Sequence, residues 1–237
     1  PGQERPLDMT IAAAEKIEAL GFHAIYLGHH SFTPETADSS APFTTLAAIA
    51  ARTEKLRLGT GIYLAPLHHP VDVCEQVCTL DQISNGRAIL GVAPGYRDYE
   101  YAGYEIPFEE RGPRLNETIE VLRKAWATGR YDHSGRFFDI PDLTVHPMPV
   151  QSGGPPILVG GTSPPAIRRA AQQGDAWYSL PMETLPVVTE LAAQYRAECA
   201  RVGREPRIVL MREAWVAPSR EAVEREWLDR ALGFHKY

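Results

Sequence analysis

The stretch Leu56–Pro70, LRLGTGIYLAPLHHP, decides the fold of this chain of 237 residues. Apolar residues typical of β-strands stand on both sides of the Gly-Thr-Gly sequence at residues 59–61. Glycine lets the backbone approach a planar ligand closely, because it has no side chain. Proline is favoured at the first position of a helix, so a helix can begin at Pro70. The stretch predicts a buried strand that opens onto a binding site and leads into a helix.

Short apolar runs alternate with segments of helical periodicity along the rest of the chain. We predict strands over 24–28, 56–64, 88–92, 156–159, 176–180 and 207–217, and helices over 9–20, 41–53, 71–83, 113–128, 164–173, 183–202 and 220–232. Uninterrupted apolar strands joined by helices indicate a parallel sheet. Residues 131–155, rich in Gly, Pro and aromatics, are expected to be an insertion with a small hairpin. It is short for a second domain, so we expect residues 1–237 to form one domain.

Two architectures contain parallel strands joined by helices. A closed (β/α)₈ TIM barrel needs eight strands. The chain shows six, so a barrel would lack its first strand and its last strand–helix unit. A doubly wound open sheet would lack nothing, but its dinucleotide-binding form opens the first helix with G-x-G-x-x-G, which is absent from this sequence. We favour the barrel and keep the open sheet as the alternative.

Composition excludes several classes of protein. A net charge of −6 argues against a nucleic-acid partner, which would require clustered Lys and Arg. Three cysteines, an odd number, do not indicate a disulfide framework. The sequence contains neither an apolar run long enough to cross a membrane nor a signal-peptide pattern at its beginning. We therefore expect a cytoplasmic protein that binds neither nucleic acid nor membrane.

The carboxyl ends of the predicted strands are the expected place for a site, because parallel barrels bind and react there. These ends offer glycines, hydroxyls and aromatics with few acids, which suits a large planar ligand better than a metal cluster. The turn Gly160–Ser163 separates a strand from a helix, so its N–H groups and the hydroxyls of Thr162 and Ser163 can bind a phosphate. A simple N-cap at Ser163 in a tight glycine turn is an equal alternative.

Histidines occur in two adjacent pairs. His29 directly follows a predicted strand and is a candidate for hydrogen bonding or proton transfer, with a structural loop pair of His29 and His30 as the alternative. A metal site would need further ligands, such as His68, His69 or Asp38, but the usual ligand spacings are absent and we predict no metal site. His68 and His69 stand just before a helix start and are predicted to be structural.

Four segments taken together resemble the bacterial luciferase-like monooxygenase superfamily of flavin- and deazaflavin-dependent enzymes. They are AEKIEALGFHAIYLGHHSF (14–32), LRLGTGIYLAPLHHPVDVCEQVCTLDQISNGRAILGVAPGY (56–96), FEERGPRLNETIEVLRKAW (108–126) and PPILVGGTSPPAIRRAAQQGDAWY (155–178). The resemblance covers nearly the whole chain in order and spacing. It implies a (β/α)₈ barrel whose missing strands normally lie before Pro1 and after Tyr237.

The resemblance also implies roles for individual residues. The family's catalytic histidine matches His29, although Gly28 stands where the family motif has an acid. A cis peptide without proline, which bulges under the flavin ring, matches Gly61-Ile62. Pro94 stands where many members that bind a flavin phosphate carry Arg, with Arg97 as the nearest alternative cation. The cofactor-binding residues implied in this way are Thr60, Gly61, Ile62, Pro94, Gly160, Gly161, Thr162 and Ser163.

The function implied by the resemblance is oxidation of a small apolar organic substrate by oxygen and reduced FMN. Coenzyme F420, with hydride transfer in place of oxygen insertion, is the alternative cofactor, because Pro94 weakens the case for a short phosphate tail. Predicted substrate-side residues are Tyr63, Tyr96, Met182 and Trp215, each of which could instead serve packing alone.

Partners and other functions complete these expectations. A flavin reductase is the expected donor of reduced flavin, and a homodimer is the expected assembly. Two functions of other classes stay open. One is a flavin-binding protein without catalysis, and the other is a metal-dependent barrel hydrolase that uses the two histidine pairs.

Overall fold

A computed structural model describes residues 6–32 and 40–228 of the chain. Its strands are, in chain order, β1 (Ala24–Leu27), β2 (Arg57–Thr60), β3 (Ala88–Val92), β4 (His133–Ser134), β5 (Asp139–Ile140), β6 (Ile157–Gly160), β7 (Ala176–Tyr178) and β8 (Ile208–Val209). Its helices are α1 (Pro6–Ala19), α2 (Pro42–Ala50), α3 (Pro70–Ile83), α4 (Asp98–Gly103), α5 (Arg111–Thr128), α6 (Pro164–Gln173), α7 (Leu185–Arg201) and α8 (Arg220–Val223). Short 3₁₀ turns cover Ala65–Leu67 and Phe108–Glu110, and a π-helical turn covers Glu224–Leu228.

A curled parallel sheet of six strands, in the order β1-β2-β3-β6-β7-β8, forms the centre of the molecule. The strand order follows the chain order without reversal, whereas a doubly wound sheet reverses at a switch point. This order excludes the open-sheet alternative. The predicted partial (β/α)₈ barrel is therefore confirmed by the six strands in the described part of the chain.

The two faces of the sheet bury different apolar clusters. Leu90, Val159 and Trp177 belong to the large cluster that also contains buried residues of the surrounding helices. Their neighbours Leu158 and Tyr178 belong to a smaller cluster of residues from several strands. Successive residues of a strand point to opposite faces of the sheet. The second cluster therefore lies on the inner face of the sheet, in the interior of the barrel.

Four predicted strands are shorter in the structure than in the prediction, by one or two residues at β1 and β7 and by more at β2 and β8. The strand predicted over 56–64 ends at Thr60. A cis peptide follows between Gly61 and Ile62, and Tyr63 pairs with the sheet again as a single bridge to Val92. The strand predicted over 207–217 is reduced to β8. The Met211 N–H donates to the Ser179 hydroxyl (2.9 Å) and not to a strand carbonyl.

Residues 131–155 contain the expected hairpin, formed by antiparallel β4 and β5. Glu117 of α5 holds the hairpin in place through hydrogen bonds. The Glu117 carboxylate accepts the N–H groups of Phe137 (3.1 Å) and Phe138 (2.8 Å), and it lies 3.2 Å from Nε2 of His133. The buried carboxylate of Glu117 thus attaches the hairpin to α5.

A second buried carboxylate holds the other end of this segment. Asp81, near the end of α3, accepts the N–H groups of Val150 (2.8 Å) and Gln151 (3.0 Å). Its other oxygen accepts the side-chain amide of Gln151 (2.7 Å) and the N–H of Ala88 at the start of β3 (3.3 Å). No helix in the described residues is both long enough and apolar enough to span a membrane.

Candidate functional site

The carboxyl ends of β1, β2 and β6 bring together three features predicted from the sequence: His29, the Gly61-Ile62 peptide and the turn that begins at Gly160. The Gly61-Ile62 peptide is cis, as the resemblance implied. Cγ2 of Ile62 lies 3.5 Å from where a side chain at Gly160 would begin, so it packs over the end of β6. The bulge after β2 and the turn after β6 are therefore direct neighbours.

His29 is a buried imidazole with a defined hydrogen bond. It is 2% exposed, and its Nδ1 accepts the N–H of Leu64 at 3.2 Å. Its ring stacks on Tyr63 with centroids 4.5 Å apart. Burial, together with the nearby His68 and His30, lowers the pKa of His29 to about 3. The ring is therefore neutral near pH 7, with its proton on Nε2.

The rings of His29, Tyr63 and His68 form one cluster, in which the His29 and His68 centroids are 5.4 Å apart. The ring of Tyr63 also stacks on His68 with centroids 4.9 Å apart, and His68 meets the ring of Tyr104 edge-on at 5.5 Å. Burial lowers the pKa of His68, and its Nε2 has no hydrogen-bond partner in the described part of the chain. The structural role predicted for His69 is confirmed, because its Nδ1 accepts the N–H of Val71 as the N-cap of α3. His68, by contrast, borders the candidate site.

His30 contacts a carboxylate that the sequence analysis did not single out. Its Nδ1 lies 3.1 Å from Oε1 of Glu100, a fully buried residue of α4. The same oxygen accepts the backbone N–H of Ser31 at 2.8 Å, and the Ser31 hydroxyl lies 3.2 Å from the hydroxyl of Tyr104. Sequence reasoning missed Glu100 because it is one acid in the short segment DYEYAG, with no spacing that relates it to the histidines.

The predicted cofactor residue Thr60 uses its hydroxyl within the sheet. The hydroxyl donates to the carbonyl of Gly91 (2.7 Å) and accepts the N–H of the same residue (2.9 Å). Gly91 can carry no side chain, because its Cβ would lie 2.1 Å from the Thr60 carbonyl oxygen. Thr60 therefore borders the site through its backbone and fixes the distance between β2 and β3.

The turn from Gly160 to Ser163, predicted to bind a phosphate, leads from β6 into α6 through a glycine with positive φ. Gly161 has φ of +131°, and its carbonyl accepts the indole N–H of Trp177 (2.9 Å). Ser163 is the N-cap residue by position, but its hydroxyl makes no capping hydrogen bond. A simple side-chain N-cap therefore does not account for it. The next two residues are prolines without N–H groups, so the donors available here belong to the turn and to Ala166.

The end of β3 offers aromatic rings and one guanidinium. The carbonyl of Pro94 accepts the hydroxyl of Tyr101. The guanidinium carbon of Arg97 lies 5.4 Å from the ring centroid of Tyr96 and 5.9 Å from that of Tyr99. Many family members carry an arginine at the position of Pro94. In this chain the cation is Arg97, three residues later.

The predicted substrate-side residues divide into two groups. Tyr96, Met182 and Trp215 are exposed, and each follows the end of a strand. Tyr63 is buried in the stack beside His29 and packs there. In the described residues, no group of three or more His, Cys, Asp and Glu side chains is placed to hold a metal ion.

Two tyrosines inside the barrel were not singled out from the sequence. The rings of Tyr26 and Tyr178 lie 5.9 Å apart. The Tyr178 hydroxyl lies 2.8 Å from the position that a Cβ at Gly61 would occupy. Burial raises the pKa of Tyr178 to about 12. Both residues occupy inward positions of predicted strands, which is the signal that could have found them.

The family model for luciferase-like monooxygenases matches residues 1–237. The chain belongs to the luciferase-like monooxygenase family. This luciferase-like chain is 32% identical over 225 residues to the oxygenase component of the flavin-dependent trigonelline monooxygenase of Acinetobacter baylyi. The match covers 92% of the chain and 62% of that relative. The chain therefore spans about three fifths of the length of this curated relative.

Relatives with a different cofactor, and a solved structure, match as well. The F420-dependent hydroxymycolic acid dehydrogenase of Mycobacterium tuberculosis is 28% identical over 205 residues, covering 84% of this luciferase-like chain and 56% of that protein. The crystal structure of monooxygenase RslO1 from Streptomyces bottropensis superposes with a TM-score of 0.88 at 28% identity, covering 97% of this chain and 73% of that one. The barrel and the family are thus established, and both flavin and F420 occur among the relatives.

Proposed function

We propose that this luciferase-like chain is a flavin-dependent monooxygenase that uses reduced FMN and oxygen on a small apolar organic substrate. One observation carries the proposal. The buried His29, the Gly61-Ile62 bulge and the Gly160–Ser163 turn follow three strands that end at the same edge of the sheet. These three features together suit a ring system with a phosphate tail: a hydrogen-bond donor, a backbone surface for the ring and a turn for the anion.

The residues at this edge fit such a cofactor. Gly161 keeps the turn free of a side chain, and the Ser163 hydroxyl is not used by its own helix. The barrel interior next to the Gly61-Ile62 bulge is apolar and aromatic, which suits a stacked ring. In our proposal the phosphate contacts the turn from Gly160 to Ser163 and the ring lies against Gly61 and Ile62. Reduced flavin, when bound, supplies the two electrons that activate oxygen.

His29 is the proposed catalytic residue. Its Nδ1 is occupied by the Leu64 N–H, so only Nε2 is available, and the neutral ring carries its proton there. The depressed pKa makes protonation of the ring unfavourable, so we propose that His29 donates a hydrogen bond from Nε2 and does not act as a base in the resting protein. Stacking on Tyr63 fixes the orientation of this donor.

The proposed substrate side is formed by Tyr96, Met182 and Trp215, whose exposed apolar surfaces could close over a small organic molecule. The trigonelline relative is named an oxygenase component, which supports a separate flavin reductase as the donor of reduced flavin. We further propose one barrel domain over residues 1–237 with an insertion at 131–155, a homodimeric assembly and a cytoplasmic location.

F420-dependent hydride transfer is a second candidate, favoured by Pro94. This residue offers neither a cation nor an N–H group, and the guanidinium of Arg97 lies beside the rings of Tyr96 and Tyr99. A cofactor whose tail leaves this region would need no arginine at position 94. The F420-dependent relative supports keeping this alternative.

Anaerobic titration of the purified protein with reduced FMN and, separately, with reduced F420 tests the choice of cofactor. We expect reduced FMN to bind at least about ten-fold more tightly, a difference of about 1.4 kcal/mol. Tighter binding of F420 would establish the second candidate. Mixing the reduced FMN complex with oxygen and a panel of apolar carbonyl compounds and heterocycles should give an oxygenated product. Flavin binding without any oxygenated product would support a non-catalytic flavoprotein, and stoichiometric zinc or manganese without flavin would support a hydrolase.

A further inference from the structure

The two adjacent histidines at the end of β1 use their Nδ1 atoms in opposite ways. Nδ1 of His29 accepts a backbone N–H, that of Leu64. Nδ1 of His30 faces Oε1 of Glu100 at 3.1 Å, and a carboxylate can only accept. With Glu100 ionised, His30 donates from Nδ1, and a neutral His30 ring then keeps its lone pair on Nε2. The pair consists of two different tautomers.

The setting of Glu100 differs from that of an ordinary surface acid. Its Oε1 accepts two hydrogen bonds, from His30 and from the Ser31 N–H, while its Oε2 has no partner within residues 6–32 and 40–228. A fully buried carboxylate with an unsatisfied oxygen costs free energy. Packing alone does not explain why this carboxylate is retained in a fully buried position.

Access to the pair is one-sided. The His30 side chain is 26% exposed, whereas the Glu100 side chain is fully buried behind it. A molecule at the rim can reach the imidazole but not the carboxylate. The His30 imidazole is therefore the group through which Glu100 can make hydrogen-bonded contact with such a molecule.

We propose that Glu100 is a positioning residue that fixes His30 with its proton on Nδ1, so that His30 presents Nε2 as a hydrogen-bond acceptor beside the donor His29. A bound molecule with a proton to share, such as a hydroxylated or N–H-containing organic substrate, would be held between an acceptor and a donor. This substrate class rests on the proposed monooxygenase function. The assignment of the two tautomers does not, because it follows from the protein's own contacts.

Ring-nitrogen NMR of the ¹⁵N-labelled protein, without flavin or substrate, tests the tautomers directly. Signals are assigned with His30→Gln and His29→Gln. We expect the His30 proton on Nδ1 and the His29 proton on Nε2. A wild-type His30 with its proton on Nε2 would overturn the proposal, and this measurement does not depend on any variant of Glu100 folding.

Three carboxylate variants separate positioning from structural support. Glu100→Leu removes the acceptor, and we expect His30 to become a mixture of tautomers, with kcat at least ten-fold lower and the KM for reduced flavin within three-fold. Glu100→Gln keeps an acceptor oxygen and should retain the Nδ1–H tautomer and more of the activity. Glu117→Leu removes a carboxylate that also pairs with a histidine, His133, in the hairpin, and should leave the His30 signals and kcat unchanged.

The outcomes separate this proposal from the proposed function. If Glu100→Leu leaves the His30 spectrum and kcat as Glu117→Leu does, Glu100 is only structural and the positioning role is wrong. If the wild-type tautomers are as expected and Glu100→Leu mixes them, the positioning role stands. Failure of the same protein to bind or use reduced flavin would then count against the monooxygenase function alone.

Discussion

The backbone N–H of Leu64 donates to Nδ1 of His29 across 3.2 Å, which joins the end of β1 to the chain that leaves the Gly61-Ile62 bulge. The bond couples two of the three features of the site. It also fixes which nitrogen of His29 can act, because an imidazole that accepts at Nδ1 must carry its proton on Nε2. Replacement of His29 therefore removes a donor of known position.

We expect His29→Ala to lower kcat by about 10²- to 10³-fold, the usual cost of removing a hydrogen-bond donor aimed at the reacting group. Affinity for reduced flavin should change only a few fold, since the phosphate turn and the bulge remain. Steady-state kinetics and anaerobic titration measure both quantities. His69→Ala is the matched control, because it removes an N-cap, costs about 1 kcal/mol of stability and should spare kcat. A variant at position 29 with wild-type kcat would rule out the catalytic role.

Stability should fall in mild acid because of His29. Its pKa is about 3 in the folded protein and about 6.5 in the unfolded chain, so the unfolded chain binds more protons between these values. The contribution of His29 is fully present above pH 6.5 and is lost as the pH falls toward 3, by about 1.4 kcal/mol per pH unit. Urea unfolding at pH 8 and pH 5 should show a decrease that is about 2 kcal/mol smaller in His29→Gln than in the wild type. An equal decrease in both proteins would show that other groups control the acid response, and exposed His23→Gln controls for the loss of any histidine.

The glycine turn after β6 should bind the cofactor phosphate. Gly161→Asp places a carboxylate beside the anion, so affinity for FMN should fall at least about ten-fold, whereas riboflavin, which has no phosphate, should lose much less. The backbone of Gly161 disfavours any side chain, and a Cβ would meet Ala166 at 2.6 Å. Gly161→Ala is therefore the necessary control, and the effect of charge is the difference between the two variants. Equal losses for FMN and riboflavin would mean that the turn acts through packing.

Two glycines of the barrel wall, Gly91 in β3 and Gly28 just after β1, should differ in their response to the same substitution. A Cβ at Gly91 would lie 2.1 Å from the Thr60 carbonyl, so Gly91→Ala must push β2 and β3 apart and should cost about 1–3 kcal/mol or more. A Cβ at Gly28 meets no atom within 4 Å, and Gly28→Ala should fold normally. Thermal and urea unfolding of both variants measure the difference. A tolerated Gly91→Ala would show that the strand pair can yield at this point.

The sequence predicts the barrel well and its rim only in part. Buried parallel strands are continuous apolar runs, so β3 and β6 could be located to within a residue or two. The end of β2 could not, because the apolar run continues through Leu64 while Ile62 leaves the sheet to pack against Gly91 and Gly160, residues distant in the sequence. The Glu100–His30 contact joins residues 70 positions apart, and no local pattern encodes it. The histidines and glycines of the site could be found from local sequence motifs. The residues that contact them could not, because those contacts join distant parts of the chain.

The two carboxylates that hold residues 131–155 have a consequence for how this segment can change. Asp81 and Glu117 belong to α3 and α5, and most of what they grip is main chain: the N–H groups of Phe137, Phe138, Val150 and Gln151. Every amino acid except proline carries that group. The attachment therefore depends little on which amino acids occupy residues 131–155. The side chains of this segment can therefore change, in evolution or by design, while its backbone stays hydrogen-bonded to Asp81 and Glu117.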